Sequence, residues 1–266
     1  MRATQDAEKT AGDPPAANAD IILSQVSHRP WPLPDLPWIM VQQWTDLLFA
    51  HWALPPEIVR PLVPPELDLD LYDGKAWVAV TPFRMTEIRM RGLPPIPGAS
   101  KFLEMNLRTY VRQRPADLDA DGIEKPGVYF FSLDASNLPA VLGARIGLGL
   151  PYFWSDMTAD VREEKVHYVS QRRESPEHVD VTYWPGEAIT RPTELELFLA
   201  ERYCLYEVRM GKAIRTQIQH WPWSLRVGHA RFAANTLGAR RGLPLTLHPD
   251  LLHFSKQLDV LIYAPG

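Results

Sequence analysis

The stretch Phe102-Leu103-Glu104-Met105-Asn106-Leu107-Arg108-Thr109-Tyr110-Val111 holds the residue types best able to do chemistry in this chain. Read at a period of two, it divides into two faces. Leu103, Met105, Leu107, Thr109 and Val111 suit a core, while Glu104, Asn106 and Arg108 line the other side between Phe102 and Tyr110. A carboxylate, an amide and a guanidinium in one row face either water or the inside of a polar cavity. Facing water, they are a strand's solvated side with mutually paired charges. Facing a cavity, Glu104 can act as a general acid or base once burial lifts its pKa toward neutrality. Arg108 can then clamp a carboxylate with its two-pronged guanidinium, or hold Glu104 ionised as a buried partner.

Other residues compete for a place in such a site. His51, beside Trp52, is either an acid–base group or a hydrogen-bonded structural histidine. Arg84, Ser132 and Asp134 fall at strand positions able to line a cavity, with capping of a helix near Asn137 as the alternative for Asp134. His220-Trp221-Pro222-Trp223 reads as a rigid aromatic turn, a lid or a closure of the core. No histidine pair has the close spacing of a zinc site, so no metal and no cofactor is expected. No G-x-S-x-G motif precedes a helix, and Gly143, Gly147 and Gly149 end a helix pattern where a phosphate loop would start one. Cys204 reads as a buried, inert thiol.

The elements that must position these groups are mostly strands. At 266 residues, 45% hydrophobic and 23% charged, the chain can bury one large core. A net charge of -4 argues against nucleic acid as the main partner. No apolar run spans a bilayer, so no membrane partner is expected, and a single cysteine fits a reducing, cytoplasmic setting. The partner expected is a small-molecule ligand, with a homo-oligomer left open. Residues 1–30 read as a disordered tail, and 31–266 as a single domain. The 26 prolines favour short strands and turns over long helices.

Strands are expected at Trp44–Leu54, Leu67–Leu71, Lys75–Met85, along the Glu104 row and at Val128–Asp134. Further strands are expected at Phe153–Val161, Lys165–Gln171, His178–Trp184, Tyr203–Arg209, Lys212–His220 and His253–Tyr263. Asp73-Gly74 and Met210-Gly211 mark hairpins. Short helices are expected after Pro55, over Asn137–Gly149, and after Thr193, which caps the last. The fold class is therefore mainly β (α+β): one large, mostly antiparallel sheet curled into a barrel-like cone around a central cavity, with a few short helices.

Several segments resemble a known family. Leu62-Val63-Pro64-Pro65-Glu66-Leu67, Phe102-Leu103-Glu104, and Ser132-Leu133-Asp134 through Ala144-Arg145 to Pro151 are similar to the acetoacetate decarboxylase-like superfamily. His51-Trp52, Asp73-Gly74-Lys75-Ala76-Trp77-Val78, Asn106 to Val111 and Glu201-Arg202-Tyr203-Cys204-Leu205-Tyr206 resemble its uncharacterised YqjF-like branch over about residues 38 to 264. The resemblance implies that Glu104 points into a cavity.

One departure bears on the chemistry. Where the decarboxylases read Pro-Lys-Lys and use the first lysine for a Schiff base, this chain reads Pro151-Tyr152-Phe153. Tyrosine cannot form an imine and Phe153 cannot supply the neighbouring cation. Lys101 and Lys256 are the candidate substitutes, and both read as solvated surface amines. Tyr152 is left to donate a hydrogen bond as a weak acid or merely to fill the hole. Two functions follow: an enzyme acting on a small carboxylate or carbonyl compound, with Glu104 and Tyr152 catalytic and Arg108, Asn106, His51 and Arg84 binding, or a catalytically silent ligand-binding protein.

Overall fold

Alternation and turn chemistry account for most strand boundaries. The computed structural model describes residues 18–95, 98, 100–139, 141 and 150–266. In chain order its elements are α1 (Ala19–Leu23), β1 (Trp38–Leu54), α2 (Pro56–Val59), β2 (Leu67–Leu69), β3 (Leu71–Tyr72), β4 (Lys75–Met90), β5 (Phe102–Gln113) and β6 (Gly127–Ala135). They continue as β7 (Tyr152–Arg162), β8 (Lys165–Arg172), β9 (His178–Ala188), α3 (Glu194–Ala200), β10 (Cys204–Arg209), β11 (Lys212–His220), β12 (Leu225–Asn235) and β13 (Leu251–Tyr263). Asp73-Gly74 and Met210-Gly211 both take positive φ at their hairpin tips, as a tight two-residue turn requires. Thr193 and Glu196 close a capping box on α3. The helix expected over Asn137–Gly149 lies for the most part outside the described residues.

All strands join one sheet, mainly β as expected, and its pairings close on themselves twice. One ring runs β5-β6-β7-β8-β9-β12-β13-β1-β4 and back to β5; the other runs β5-β6-β10-β11-β13-β1-β4 and back. The sheet is mixed, because β6 pairs in parallel with both β7 and β10. Gly127 permits the second of these junctions: a Cβ there would come 2.3 Å from the Cys204 carbonyl oxygen.

The two rings share β13, β1, β4, β5 and β6, and the opposite faces of β1, β4 and β5 meet different surroundings. On one face Leu48, Ala50, Val80, Met105 and Leu107 join Tyr168, Val181, Tyr183 and Phe254 in a packed core. Tyr168 reaches across it from β8 and donates to the Glu104 carbonyl at 2.9 Å. On the other face Leu47, Phe49, Phe83 and Met85 meet Ala200, Ile218 and Trp223. A strand buried on both sides still alternates when one of its faces is a polar-lined cavity, which is the case for β5.

Two local features bend the shared strands. Asp46 takes φ 51° in the middle of β1, and the β1–β4 register is broken between Thr45 and Ala50. Pro82, which has no N–H to give, falls inside that gap.

Two expectations need correction. The segment from Asn18 to Pro30 was read as part of a disordered tail, yet it packs on the sheet: Ile22 is buried with Val41 and Leu261. Arg29 is buried too and donates to the Ile218 carbonyl at 2.5 Å and to Gln217 Oε1 at 2.8 Å. β12 was not foreseen. Its inward positions include Gly228, where a Cβ would come 2.8 Å from the His253 backbone, so close strand contact takes the place of a bulky apolar signal.

Candidate functional site

A cavity of about 80 Å³ lies inside the second ring, counted as space for the centre of a water-sized sphere. One water needs roughly 10–15 Å³ on that measure, so the cavity holds several waters or a small organic molecule. Its floor is the polar face of β5, and Glu104, Asn106 and Arg108 all line it. Their exposures of 3%, 5% and 9% decide between the two readings of this row: it does not face bulk water. β4 contributes Thr81, Phe83 and Met85; β1 contributes Gln42, Trp44, Leu47 and Phe49. The far wall carries Leu205, Glu207, Thr216, Ile218, His220 and Trp223.

Tyr152 lines the cavity directly beside Glu104, donating to its Oε2 at 2.9 Å. The parallel β6–β7 pairing makes this contact by setting Tyr152 against Leu133, which in turn pairs with Asn106. Burial pushes the Glu104 carboxyl up to about 8; the Tyr152 hydrogen bond opposes that rise, and the nearby Asp134 charge adds to it. Glu104 is therefore a neutral carboxylic acid at pH 7. Because Oε2 accepts from Tyr152, Oε1 is the atom left to carry the acid proton.

Arg108 does not pair with Glu104, against the expected alternative. No carboxylate of the described residues lies within ion-pairing distance of its guanidinium. It rests against the Phe49 ring at 5.4 Å and the Tyr110 ring at 6.0 Å, and its Nε has no hydrogen-bond partner. Asn106 Oδ1 and Thr81 Oγ1, opposite each other in the β4–β5 register, are likewise buried without partners. The cavity floor thus offers a cation, an amide, a hydroxyl and a carboxylic acid in a row.

His51 and Arg84 are not brought to this cavity. His51 shares a face with Phe49 but lies further along β1, behind Tyr110, with its Nε2 2.8 Å from the Tyr110 hydroxyl. That hydroxyl donates to the Leu199 carbonyl at 3.0 Å, which leaves His51 Nε2 as the protonated nitrogen. Burial, with His253 and Arg108 nearby, depresses the His51 pKa well below its ordinary value. It is a neutral structural histidine. Arg84 pairs with Leu103, not with Glu104, so it points to the opposite face from Phe83 and Met85. There its guanidinium meets the buried Asp46 at 2.5 Å, and Lys256 Nζ meets the same carboxylate at 2.6 Å.

Asp134 caps no helix in the described residues. It receives both prongs of Arg172 at 2.7 and 2.8 Å and the Ser155 hydroxyl at 3.0 Å, on the side of β6 away from the cavity. Arg172 also bonds Glu177 and stacks on the Phe153 ring at 3.9 Å. Cys204 is free and buried, with its thiol pushed up to about 12 by burial.

The sequence reading missed Arg202 and Glu207 as cavity residues, while His220 and Trp223, from the turn read as a lid or a closure of the core, both line it. Arg202 lay in a quoted segment, but its partners, Asp70 at 2.6 Å and the Phe198 carbonyl at 2.5 Å, are distant or helical and leave no local signal. Glu207 shares its face of β10 with Leu205 and Arg209, a mix of polar and apolar residues in which a surface strand and a cavity strand read alike.

Among proteins of known sequence, the chain is 42% identical over 234 residues to the uncharacterized protein YqjF of Bacillus subtilis, covering 87% of this chain and 93% of that one. Among solved structures it is similar to acetoacetate decarboxylase from Legionella pneumophila, with a TM-score of 0.56 at 15% identity over 90% of this chain and 92% of that one. An acetoacetate decarboxylase-like enzyme from Sphingomonas wittichii gives 0.57 at 12% identity over 87% and 93%. The enduracididine biosynthesis enzyme MppR complexed with pyruvate gives 0.54 at 11% identity over 90% and 92%. At such identities these likenesses establish the fold. The model of the DUF2071 family of uncharacterized conserved proteins matches residues 41–259, and the chain belongs to that family, on an acetoacetate decarboxylase-like fold.

Proposed function

We propose that the cavity binds a small organic molecule bearing a carboxylate and a carbonyl or hydroxyl oxygen. Arg108 holds the carboxylate and Glu104 donates to the second oxygen. The observation that carries this reading is the Arg108 guanidinium, 9% exposed in the cavity wall with no carboxylate of the described residues beside it. A buried cation without an anion is costly, and a ligand carboxylate relieves that cost with two charge-assisted hydrogen bonds. Glu104, neutral below about pH 8, can protonate or hydrogen-bond a carbonyl oxygen where negative charge develops. Tyr152 keeps that acid oriented. A pyruvate complex of the similarly folded MppR supports a ligand of this class.

Imine chemistry has no place in this reading, since no lysine of the described residues lines the cavity. That same lining also favours a second reading: with neither lysine nor cysteine in it, the cavity suits a carrier or sensor that binds the ligand unchanged. A thermal-shift panel of small 2-oxo, 3-oxo and hydroxy acids on wild type, Arg108→Gln and Glu104→Gln tests the binding. NMR of any stabilising ligand after incubation then separates the two readings. Turnover lost in Glu104→Gln identifies an enzyme; an unchanged ligand identifies a binder. A panel with no Arg108-dependent stabilisation removes both.

A further inference from the structure

The wall facing Arg108 carries a second charge that the reading above leaves unused. Glu207 is 8% exposed and lines the cavity from β10. Neither of its carboxylate oxygens receives a hydrogen bond. Among the described residues its ion-pair partner is Arg209, two residues along the same strand, whose buried Nη2 lies 2.7 Å from Oε1 but out of line for a hydrogen bond. Glu207 Oε2 is thus left without a partner in the cavity wall.

Register relates this carboxylate to Arg108. Arg108 pairs with Phe130 across β5–β6. Leu205 and Tyr206 pair in parallel with Val128 and Tyr129, so Glu207 falls level with Phe130, one residue beyond the last paired position. Arg108, Phe130 and Glu207 therefore form one row across β5, β6 and β10, and all three face the cavity. Two strand spacings separate the Cα atoms of Arg108 and Glu207, roughly 10 Å. The side chains do not pair with each other, and the ring curves so that both border the same space.

We propose that the ligand is a short zwitterion, with its carboxylate on Arg108 and a primary ammonium on Glu207. The inference rests on the carboxylate role of Arg108 and adds the chemistry of the ligand's other end. A cation between the two walls gives the Glu207 oxygens the donors they lack, and the ligand replaces with its own charges the pair that Arg108 and Glu207 are too far apart to make. An uncharged tail would leave the Glu207 carboxylate buried against apolar atoms, which selects against simple fatty acids.

The test is calorimetric titration of 3-aminopropanoate, 4-aminobutanoate and 5-aminopentanoate, each against its parent acid without the amine. In wild type at least one amino acid binds about tenfold or more tighter than its parent. In Glu207→Gln that preference disappears while the parent acid binds as before. In Arg209→Gln, which removes the competing cation, the preference grows. Arg108→Gln weakens both members of each pair. The zwitterion inference fails if no amino acid outbinds its parent, if the preference survives in Glu207→Gln, or if it falls in Arg209→Gln. Arg108-dependent binding of the parent acids without an amine preference overturns this inference alone; absence of any Arg108-dependent binding overturns the carboxylate reading and this inference together.

Discussion

The phenol of Tyr152 donates to Glu104 Oε2 at 2.9 Å, and both groups are shut away from solvent in the wall of one cavity. The tyrosine's partner is a carboxyl group that burial pushes toward its protonated form. The pair is a proton-holding unit, and its properties follow from burial.

The first prediction concerns pH and stability. Burial raises the folded-state pKa of Glu104 from about 4.5 to about 8, with Asp134 adding to the rise. The folded protein therefore holds this proton where the unfolded chain has lost it. The resulting stability is fully present below about pH 4.5 and is lost as pH rises to about 8, at up to about 1.4 kcal/mol per pH unit. Urea denaturation of wild type and Glu104→Gln at pH 5, 7 and 9 reads it directly. The stability difference should move in favour of the glutamine variant by roughly 3–5 kcal/mol between the ends of that window. A constant difference would mean that Glu104 is ionised throughout.

Tyr152→Phe removes the hydrogen bond that holds the Glu104 pKa down, so the carboxyl should titrate higher still. Infrared difference spectra of the carboxyl stretch across a pH titration follow this. A midpoint at or below the wild-type value contradicts the assigned contact.

Borohydride with acetoacetate or pyruvate should leave the intact mass unchanged, because no lysine of the described residues lines the cavity and Lys256 bonds Asp46 outside it. A stable adduct mapped to Lys101 or Lys256 would restore Schiff-base chemistry to this protein.

The Asp134–Arg172 pair is bidentate and buried, with side-chain exposures of 1% and 5%. Asp134→Ala strips the buried Arg172 guanidinium of its two-pronged partner, leaving Glu177 as its counter-charge, and should cost about 3 kcal/mol. Arg173–Asp156 joins exposed groups, and Asp156→Ala should cost under about 1 kcal/mol. Equal losses in chemical denaturation would refute the contrast.

Much of this site was legible in the chain. Alternation put Glu104, Asn106 and Arg108 on one face, and hairpin glycines with the Thr193 cap fixed the frame around them. Alternation cannot supply register, which is why Arg84 reads as a cavity-lining residue in the sequence although its β5 neighbour is Leu103, on the other face. It also cannot say where a face stops lining a cavity, and His51 lies just past that point, under the end of α3. The separation of Arg108 from Glu104 depends on where each side chain finds room along β5, and their i,i+4 spacing does not reveal it. Glu207 enters the cavity through the β6–β10 junction, a contact between segments far apart in sequence.

The central claim is that Arg108 is an anion clamp and not a structural partner of Glu104. Calorimetric titration of small carboxylates, pyruvate and acetoacetate among them, into wild type and Arg108→Gln at pH 7 tests it most directly. The expected result is measurable binding of at least one acid by wild type and a loss of about tenfold or more in the variant, the size of one charge-assisted contact. Carboxylate affinity in Arg108→Gln within about twofold of wild type would contradict it.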